Sequence, residues 1–364
     1  MSHISIYVPS LRGGGAERVM VTLANEFSMR GHRVDLILAR AEGPYLSEVA
    51  PAVRIVDLNR SRVITSLLPL ANWLRREKPD VMLSALNHAN MVAIMARGLA
   101  RSQTRLVISE RNSLINLGSG RRAQLFRRLM CWLYPKADGV IALTLAGVQE
   151  MTGELRLAPE KVMSIPNPVD IAQFRELAEM RPDHPWMAPG QPPVILAVGR
   201  LAAQKDYPTL LAAFARLRAE RPARLVILGE GSLGPELQRQ IDAAGLSDDV
   251  MLAGFQANPF AWMGACAVYV MSSRHEGFPN ALVQAMACGA RVVSTDCPTG
   301  PAEILENGKW GHLVPVGDAV ALSEAMIAAL TDCEAPDVLK RVFEFQIDNI
   351  VSKYIHALGI ESDT

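Results

Sequence analysis

Short apolar runs alternate with amphipathic runs of helical period along nearly the whole chain, and that alternation leaves few folds open. His3–Val8, Arg33–Ala39, Arg54–Leu58, Asp80–Ser84, Arg105–Ser109 and Gly139–Leu143 read as strands with helical patterns between them. A helix between two strands returns the chain to the same sheet edge, so the strands pair in parallel. Strands covered on both faces are apolar throughout. The first helix, residues 16–30, is apolar at Val19, Met20, Leu23, Ala24 and Phe27, and Gly31 stops it. A second series follows at Val194–Val198, Arg224–Leu228, Asp249–Ala253, Ala267–Met271, Arg291–Thr295 and His312–Val314, with helices over 207–220, 318–331 and 337–358. No sequence repeat relates the two series.

Between them, 165–168 closes the first half. Residues 175–193 lose periodicity and collect Pro182, Pro185, Pro189, Pro192 and Pro193, which reads as an interdomain linker. At 364 residues the chain is too long for one core and suits two α/β domains. The expected division is an N-terminal domain over 1–170, a linker over 171–193 and a C-terminal domain over 194–342.

Charge and cysteine content exclude several classes. Lys+Arg and Asp+Glu are both 37, so no net field draws the protein to nucleic acid. Five scattered cysteines without a CxxC pair argue against a disulfide framework or a zinc site. The N-terminus enters a strand with no signal-peptide pattern, and the expected location is cytoplasmic. The uncharged span 250–273 is interrupted by Gly254, Gln256, Asn258, Pro259 and Gly264, and reads as strand, loop, short helix and strand rather than a membrane span.

The chemistry is expected in the turns that follow the strands. Ser272–Gly277 is a polar, glycine-containing turn leading through Phe278–Pro279–Asn280 into a helix that Gly289 ends. A helix start after such a turn offers free N–H groups and the positive end of the helix dipole to an anion. Glu276 and Gln284 frame it. Gly13–Gly14–Gly15 precedes the first helix. It is not a dinucleotide fingerprint, since Arg18 stands where the third glycine would be, and it suits either a tight turn or close approach to an anionic ligand. Arg200 and Lys205 share one sheet-edge loop and suit a pyrophosphate, the alternative being surface ion pairs. Gly229–Glu230–Gly231 and Gly254–Phe255–Gln256 are further turns at that edge. Ser109–Glu110–Arg111–Asn112 ends a strand of the first half and is either a ligand edge or a surface turn.

Residues 121–134 form a basic amphipathic pattern, with Arg121, Arg122, Arg127 and Arg128 beside Leu125, Phe126, Leu129, Met130, Trp132 and Leu133. It suits a solvent-facing helix, or a surface for anionic membrane lipid or a pyrophosphate-linked acceptor that residues 64–76 would extend.

Taken in order and spacing, GGAERV (14–19), IPNPVDIAQF (165–174), GRLAAQKDYPTLL (199–211), LGEGSL (228–233), HEGFPNALVQAMACG (275–289), DCPTGPAEIL (296–305) and GHLVPVGD (311–318) resemble the retaining glycosyltransferases of family 4 over nearly the whole length. The resemblance implies the GT-B fold: two facing Rossmann-like α/β domains with parallel sheets and a deep interdomain cleft, the first completed by the C-terminal helix at about 343–360. It implies that Arg200 and Lys205 hold the donor diphosphate, that Gly14 and Gly15 face the phosphates and sugar, and that Glu276 binds sugar hydroxyls. Gly277, Phe278, Asn280, Ala281 and Leu282 would contact sugar and phosphate through their backbone, and Glu230 would lie near the nucleoside. There are two departures. Gln284 replaces the glutamate that usually binds the ribose. The histidine many relatives direct at the sugar has no clear counterpart, with His88 or Glu110–Arg111–Asn112 the nearest candidates.

The expected activity is transfer of a hexose or N-acetylhexosamine from a nucleotide-diphosphate sugar, UDP-linked, to a glycan acceptor, with retention and without a metal or other cofactor. A polyprenyl-diphosphate-linked saccharide and a peripheral place at the inner membrane face would suit the basic helix. A UDP-sugar epimerase and a noncatalytic nucleotide-sugar-binding subunit are the alternatives.

Overall fold

The computed structural model describes residues 1–12, 14–111, 113–114, 118, 120–332 and 334–360. Gly13, Asn112 and Cys333 lie outside the described residues. The chain divides into two units: Met1–Pro168 together with residues 347–364, and Val169–Gln346.

The first unit holds a seven-stranded parallel sheet of β1 (His3–Val8), β2 (Arg33–Leu38), β3 (Arg54–Asp57), β4 (Val81–Ala85), β5 (Arg105–Ser109), β6 (Gly139–Ala142) and β7 (Val162–Ser164), in the order β3-β2-β1-β4-β5-β6-β7. The chain steps outward from β1 to β3, then returns to the other side of β1 with β4. Ile4 therefore pairs with Val34 on one side and Val81 on the other. Cores cover both faces. One, with Val8, Phe27 and Leu36, takes in Ile350, Val351, Tyr354 and Leu358 of the C-terminal helix Ile347–Leu358. The other gathers Leu70, Trp73, Leu74, Met130 and Tyr134. The three-residue β7 was not among the expected strands, being too short to show a period.

The second unit repeats the winding with β8 (Val194–Val198), β9 (Arg224–Leu228), β10 (Val250–Gly254), β11 (Val268–Met271), β12 (Val292–Thr295) and β13 (His312–Val314), in the order β10-β9-β8-β11-β12-β13 and parallel throughout. The uncharged span resolves into β10, the helix Pro259–Ala265 and β11. No helix among the described residues is long and apolar enough to cross a membrane.

Two boundaries differ from the sequence reading. Residues 171–193 do not form a linker. Asp170 caps the helix Ile171–Glu179 through a 3.0 Å bond from Gln173 N. Phe174 stacks on Phe260 at 4.2 Å, and Trp186 lies under the Arg224 guanidinium at 4.9 Å. Prolines here shape a strap bound to the second unit. The helix expected over 337–358 is also broken. It runs Leu339–Val342, passes through a tight turn at 343–345 and restarts at Ile347. The break falls where Gln346 pairs with Val169 in a parallel bridge, at the two points where the chain passes between units.

Candidate functional site

In a doubly wound sheet, the loops leaving neighbouring strands at the reversal point diverge and open a crevice at the carboxyl edge. In the second unit those strands are β8 and β11, and their loops carry Arg200–Asp206 and Ser272–Pro279. The loops are laced together. Ser272 Oγ donates to Lys205 O at 2.7 Å, Arg274 N to Gln204 O at 2.8 Å, and Gln204 Nε2 to His275 O at 2.8 Å. Lys205 Nζ lies 2.7 Å from Glu276 Oε1, which also accepts from Ser273 Oγ at 2.6 Å. The Thr299 hydroxyl holds the Glu276 carbonyl from the loop after β12. Glu276 is buried, so its carboxylate is fixed in direction.

The charges nearly cancel, with one exception. Lys205 is met by Glu276. Arg274 meets buried Asp206 at 3.0 and 3.1 Å. Exposed Arg200 has no ion-pair partner among the described residues, so the surface-pairing alternative does not describe it. Burial, followed by the Glu276 charge, pushes the hydroxyl pKa of Tyr207 well above its ordinary value, and that proton is given to Gly199 O at 3.0 Å. The Cys297 thiol is pushed up to about 12 by burial and by Glu276. Both shifts keep these two groups neutral at physiological pH.

Around this pair the backbone approaches closely. Gly229, at φ 131°, has room for no side chain, since a Cβ there would fall 2.2 Å from Gly199 O. Leu201 N donates to Glu230 O at 2.9 Å, and the Glu230 side chain is exposed. The helix Asn280–Ala287 begins beside Glu276 without a side-chain cap. The N–H groups of Gly277, Phe278 and Ala281 meet no acceptor among the described residues. Phe278 and Leu282 are buried, Asn280 and Ala281 half-buried. Gln284, also half-buried, leaves its amide without a hydrogen bond among the described residues. Asp206, Gln204, Ser273 and Thr299 were not singled out from sequence. Only their place in the quoted loops could have signalled them.

The first unit answers less closely to expectation. Gly14 precedes the helix Gly15–Met29 as its cap, and a Cβ there would fall 2.1 Å from Glu17 Oε2, so the acid folds back over the helix start. His88, exposed, meets Phe126 edge-on at 4.9 Å. Glu110 and Arg111, read as a ligand edge or a surface turn, do not form a surface turn. Both are buried, at 3% and 6% exposure. Glu110 accepts from Tyr134 OH at 2.7 Å, and Arg111 donates to Asn167 Oδ1 at 2.5 Å and Tyr354 OH at 3.0 Å. Buried polar groups need such partners, and here the bonds tie the end of β5 to the C-terminal helix. In the helix Arg121–Leu133, Arg121, Arg122 and Arg128 are exposed. Arg127 instead turns to Leu114 O at 3.1 Å and Glu154 at 3.2 Å.

Residues 13–173 match the family described as Glycosyltransferase Family 4, and residues 192–332 the family described as Glycosyl transferases group 1. Over 359 residues, 94% of this chain and 93% of the relative, the sequence is 30% identical to an N-acetylgalactosamine-N,N'-diacetylbacillosaminyl-diphospho-undecaprenol 4-alpha-N-acetylgalactosaminyltransferase of Campylobacter jejuni. The chain belongs to the family 4 glycosyltransferases. A second relative, the lipopolysaccharide core biosynthesis glycosyltransferase LpsE of Rhizobium meliloti, is 28% identical over 88% of this chain and 87% of its own. The Anabaena HepE structure with UDP and glucose superposes at a TM-score of 0.82, with 22% identity, over 99% of this chain and 100% of that one. The two parallel sheets of this glycosyltransferase are those of the GT-B fold. Against its family's E-x7-E pattern, the crevice keeps the first acid as Glu276 and carries an amide at Gln284. Among its described residues no cluster of three or more His, Cys, Asp or Glu could hold a metal ion.

Proposed function

We propose that this glycosyltransferase moves a hexose or N-acetylhexosamine from a UDP-linked donor to a lipid-linked saccharide, with retention of anomeric configuration. One observation carries the donor reading. The crevice between β8 and β11 combines an uncommitted Arg200, the Lys205–Glu276 pair and free N–H groups at a helix start. Arg200 and the N–H groups stabilise the departing diphosphate, Lys205 adds a second cation, and Glu276 orients sugar hydroxyls. Glu276 is engaged by Lys205 and Ser273, and Asp206 by Arg274, so in this reading neither carboxylate attacks the sugar. The acceptor hydroxyl therefore attacks the anomeric carbon on the face the diphosphate leaves. The carbon–oxygen bond to phosphate breaks as the glycosidic bond forms, and the hydroxyl proton passes to a departing phosphate oxygen. The proposed charge stabilisation comes from the two cations, without a metal.

The name of the Campylobacter relative specifies a diphospho-undecaprenol-linked acceptor and an N-acetylgalactosaminyl group, and that of LpsE a lipopolysaccharide core. HepE was solved with UDP. These support a lipid-linked acceptor and a UDP donor for this chain. The helix Arg121–Leu133 suits such a substrate. Leu125, Leu129 and Trp132 form one stripe exposed at 69%, 37% and 63%, between exposed arginines.

The test is a panel of UDP- and GDP-sugars screened by thermal shift, followed by turnover with polyprenyl-diphosphate saccharides. A bound donor at a hundred times its Kd adds about 2.7 kcal/mol of stability. Arg200→Ala should cut turnover ~100-fold or more. Near-normal turnover in that variant would sink the diphosphate clamp, and epimer formed from UDP-sugar alone would replace transfer by epimerisation.

A further inference from the structure

Arg341 is the only buried cation among the described residues of the second unit, at 8% exposure. A buried charge is costly unless its donors find partners, and here they do. Nε donates to Ile304 O and Nη2 to Glu303 O, both at 2.9 Å, where the short helix Pro301–Ile304 ends. Nη1 faces the Glu344 and Glu306 carboxylates. The guanidinium lies over the Phe345 ring, with Cζ 4.9 Å from its centroid. A planar fork bonds along its edges and packs with its face, which an ammonium cannot do.

What Arg341 holds leads to the crevice by two routes. Phe345, itself buried, meets Phe278 edge-on with ring centroids 6.0 Å apart, and Gly277 alone separates Phe278 from Glu276. The helix Pro301–Ile304 leads back into Gly300 and Thr299. The Thr299 hydroxyl holds Glu276 O, and a Cβ on Gly300 would fall 2.5 Å from Pro279 Cδ. Thr299 takes φ 65°, a conformation a β-branched residue keeps only where its surroundings impose it. The helix Leu339–Val342 that carries Arg341 also packs on the helix Asn280–Ala287, which the turn 276–279 starts.

We infer that Arg341 is a positioning residue for the donor. It holds Phe345 on one side of the turn 276–279 and residues 299–304 on the other, and so fixes the direction of the Glu276 carboxylate and of the N–H groups of Gly277 and Phe278. The inference rests on the donor reading above. Groups that meet a departing diphosphate act most strongly when they are aimed before the reaction begins, so a slackened turn costs turnover more than it costs binding.

The test compares the full-length parent with Arg341→Lys, Phe345→Leu and Glu344→Gln. Calorimetry with UDP and GDP gives the affinity and the fraction of protein able to bind. Turnover is measured with the UDP-sugar and polyprenyl-diphosphate saccharide that the parent accepts. Arg341→Lys keeps the charge and loses the fork. It should bind nucleotide at full stoichiometry, with a small change in Kd and kcat per binding site at least about tenfold lower. Phe345→Leu keeps most of the volume and removes the ring, should lower kcat in the same direction, and decides the matter if Arg341→Lys does not fold. Glu344→Gln removes only a partner on the solvent side and should match the parent. A merely structural role would lower the stoichiometry and leave Kd and kcat per site at parental values. That result, or parental kcat in Phe345→Leu, overturns the positioning alone. A parent that binds neither UDP nor GDP, or transfers no sugar, overturns the donor reading and the positioning with it.

Discussion

At the scale of single residues, Gln284 is the most telling departure. An amide accepts one ribose hydroxyl bond and donates another, but it lacks the charge-assisted component of a carboxylate, a difference of about 1 kcal/mol. Its side chain is half-buried and has no hydrogen bond among the described residues, so none of these competes for it. Gln284→Glu should therefore tighten UDP binding by about fivefold in calorimetry, and unchanged or weaker binding would remove Gln284 from the ribose. A different carboxylate, Glu77, reports on stability. Its bonds to Arg54, with Arg76 assisting, hold its pKa down from 4.5 to about 2. A depressed folded-state pKa stabilises above the unfolded value and stops doing so as pH falls through the folded one. The stability gap between the parent and Glu77→Gln should thus be full above about pH 5 and shrink towards pH 2. A gap independent of pH over that range, in urea titrations, would exclude the linkage.

At the scale of elements, the helix Arg121–Leu133 packs on the first unit through Ala123, Met130 and Leu133 and leaves Leu125, Leu129 and Trp132 outside. Lys136 caps this stripe with its ammonium 3.2 Å from the Trp132 ring centroid. A helix serving only as a solvated face has no need of that much exposed apolar surface. Replacing both Arg121 and Arg128 by Glu should weaken sedimentation with vesicles containing an anionic lipid by at least about tenfold, with circular dichroism unchanged. Equal sedimentation would return the helix to solvent. Arg127 is unsuitable for this test, because it is tied to Leu114 and Glu154 within the first unit and its loss would mix a packing effect with a surface one.

This helix also shows what sequence carries and what it does not. Its period revealed an amphipathic helix, but period does not say which of four arginines turns inward. The strands were legible because burial on both faces leaves them uniformly apolar, and the loop glycines because backbones meet there. Glu110–Arg111 misled because polar residues after a strand read as surface, whereas their partners, Tyr134, Asn167 and Tyr354, lie 24, 56 and 243 residues away. The strap over 171–193 misled for a related reason. Proline marks the absence of helix, and a segment without helical period can still be bound by single contacts such as Phe174 on Phe260.

At the scale of the molecule, the first unit is built from two distant pieces. Ile350, Val351, Tyr354, Ile355 and Leu358 are all buried in its core. At about 1.5–3 kcal/mol for each buried side chain, they contribute as much as the net stability of a typical domain. A chain ending at Gln346 should therefore lose the first unit while keeping the second. Hydrogen exchange would show β1 and β4 unprotected and β8 and β11 protected, and protection in both sheets would refute this.

The double passage at Val169 and Gln346 also sets an order of events during synthesis. Domains fold as units while the chain emerges, the earlier one ordinarily first. Here the earlier sheet reaches the outside of the ribosome first but cannot be closed until the final helix follows it. The whole of 169–346 is translated in between. The later-made unit is thus the first that can be complete, and the apolar face awaiting Tyr354 stays open for the time it takes to translate nearly half the protein.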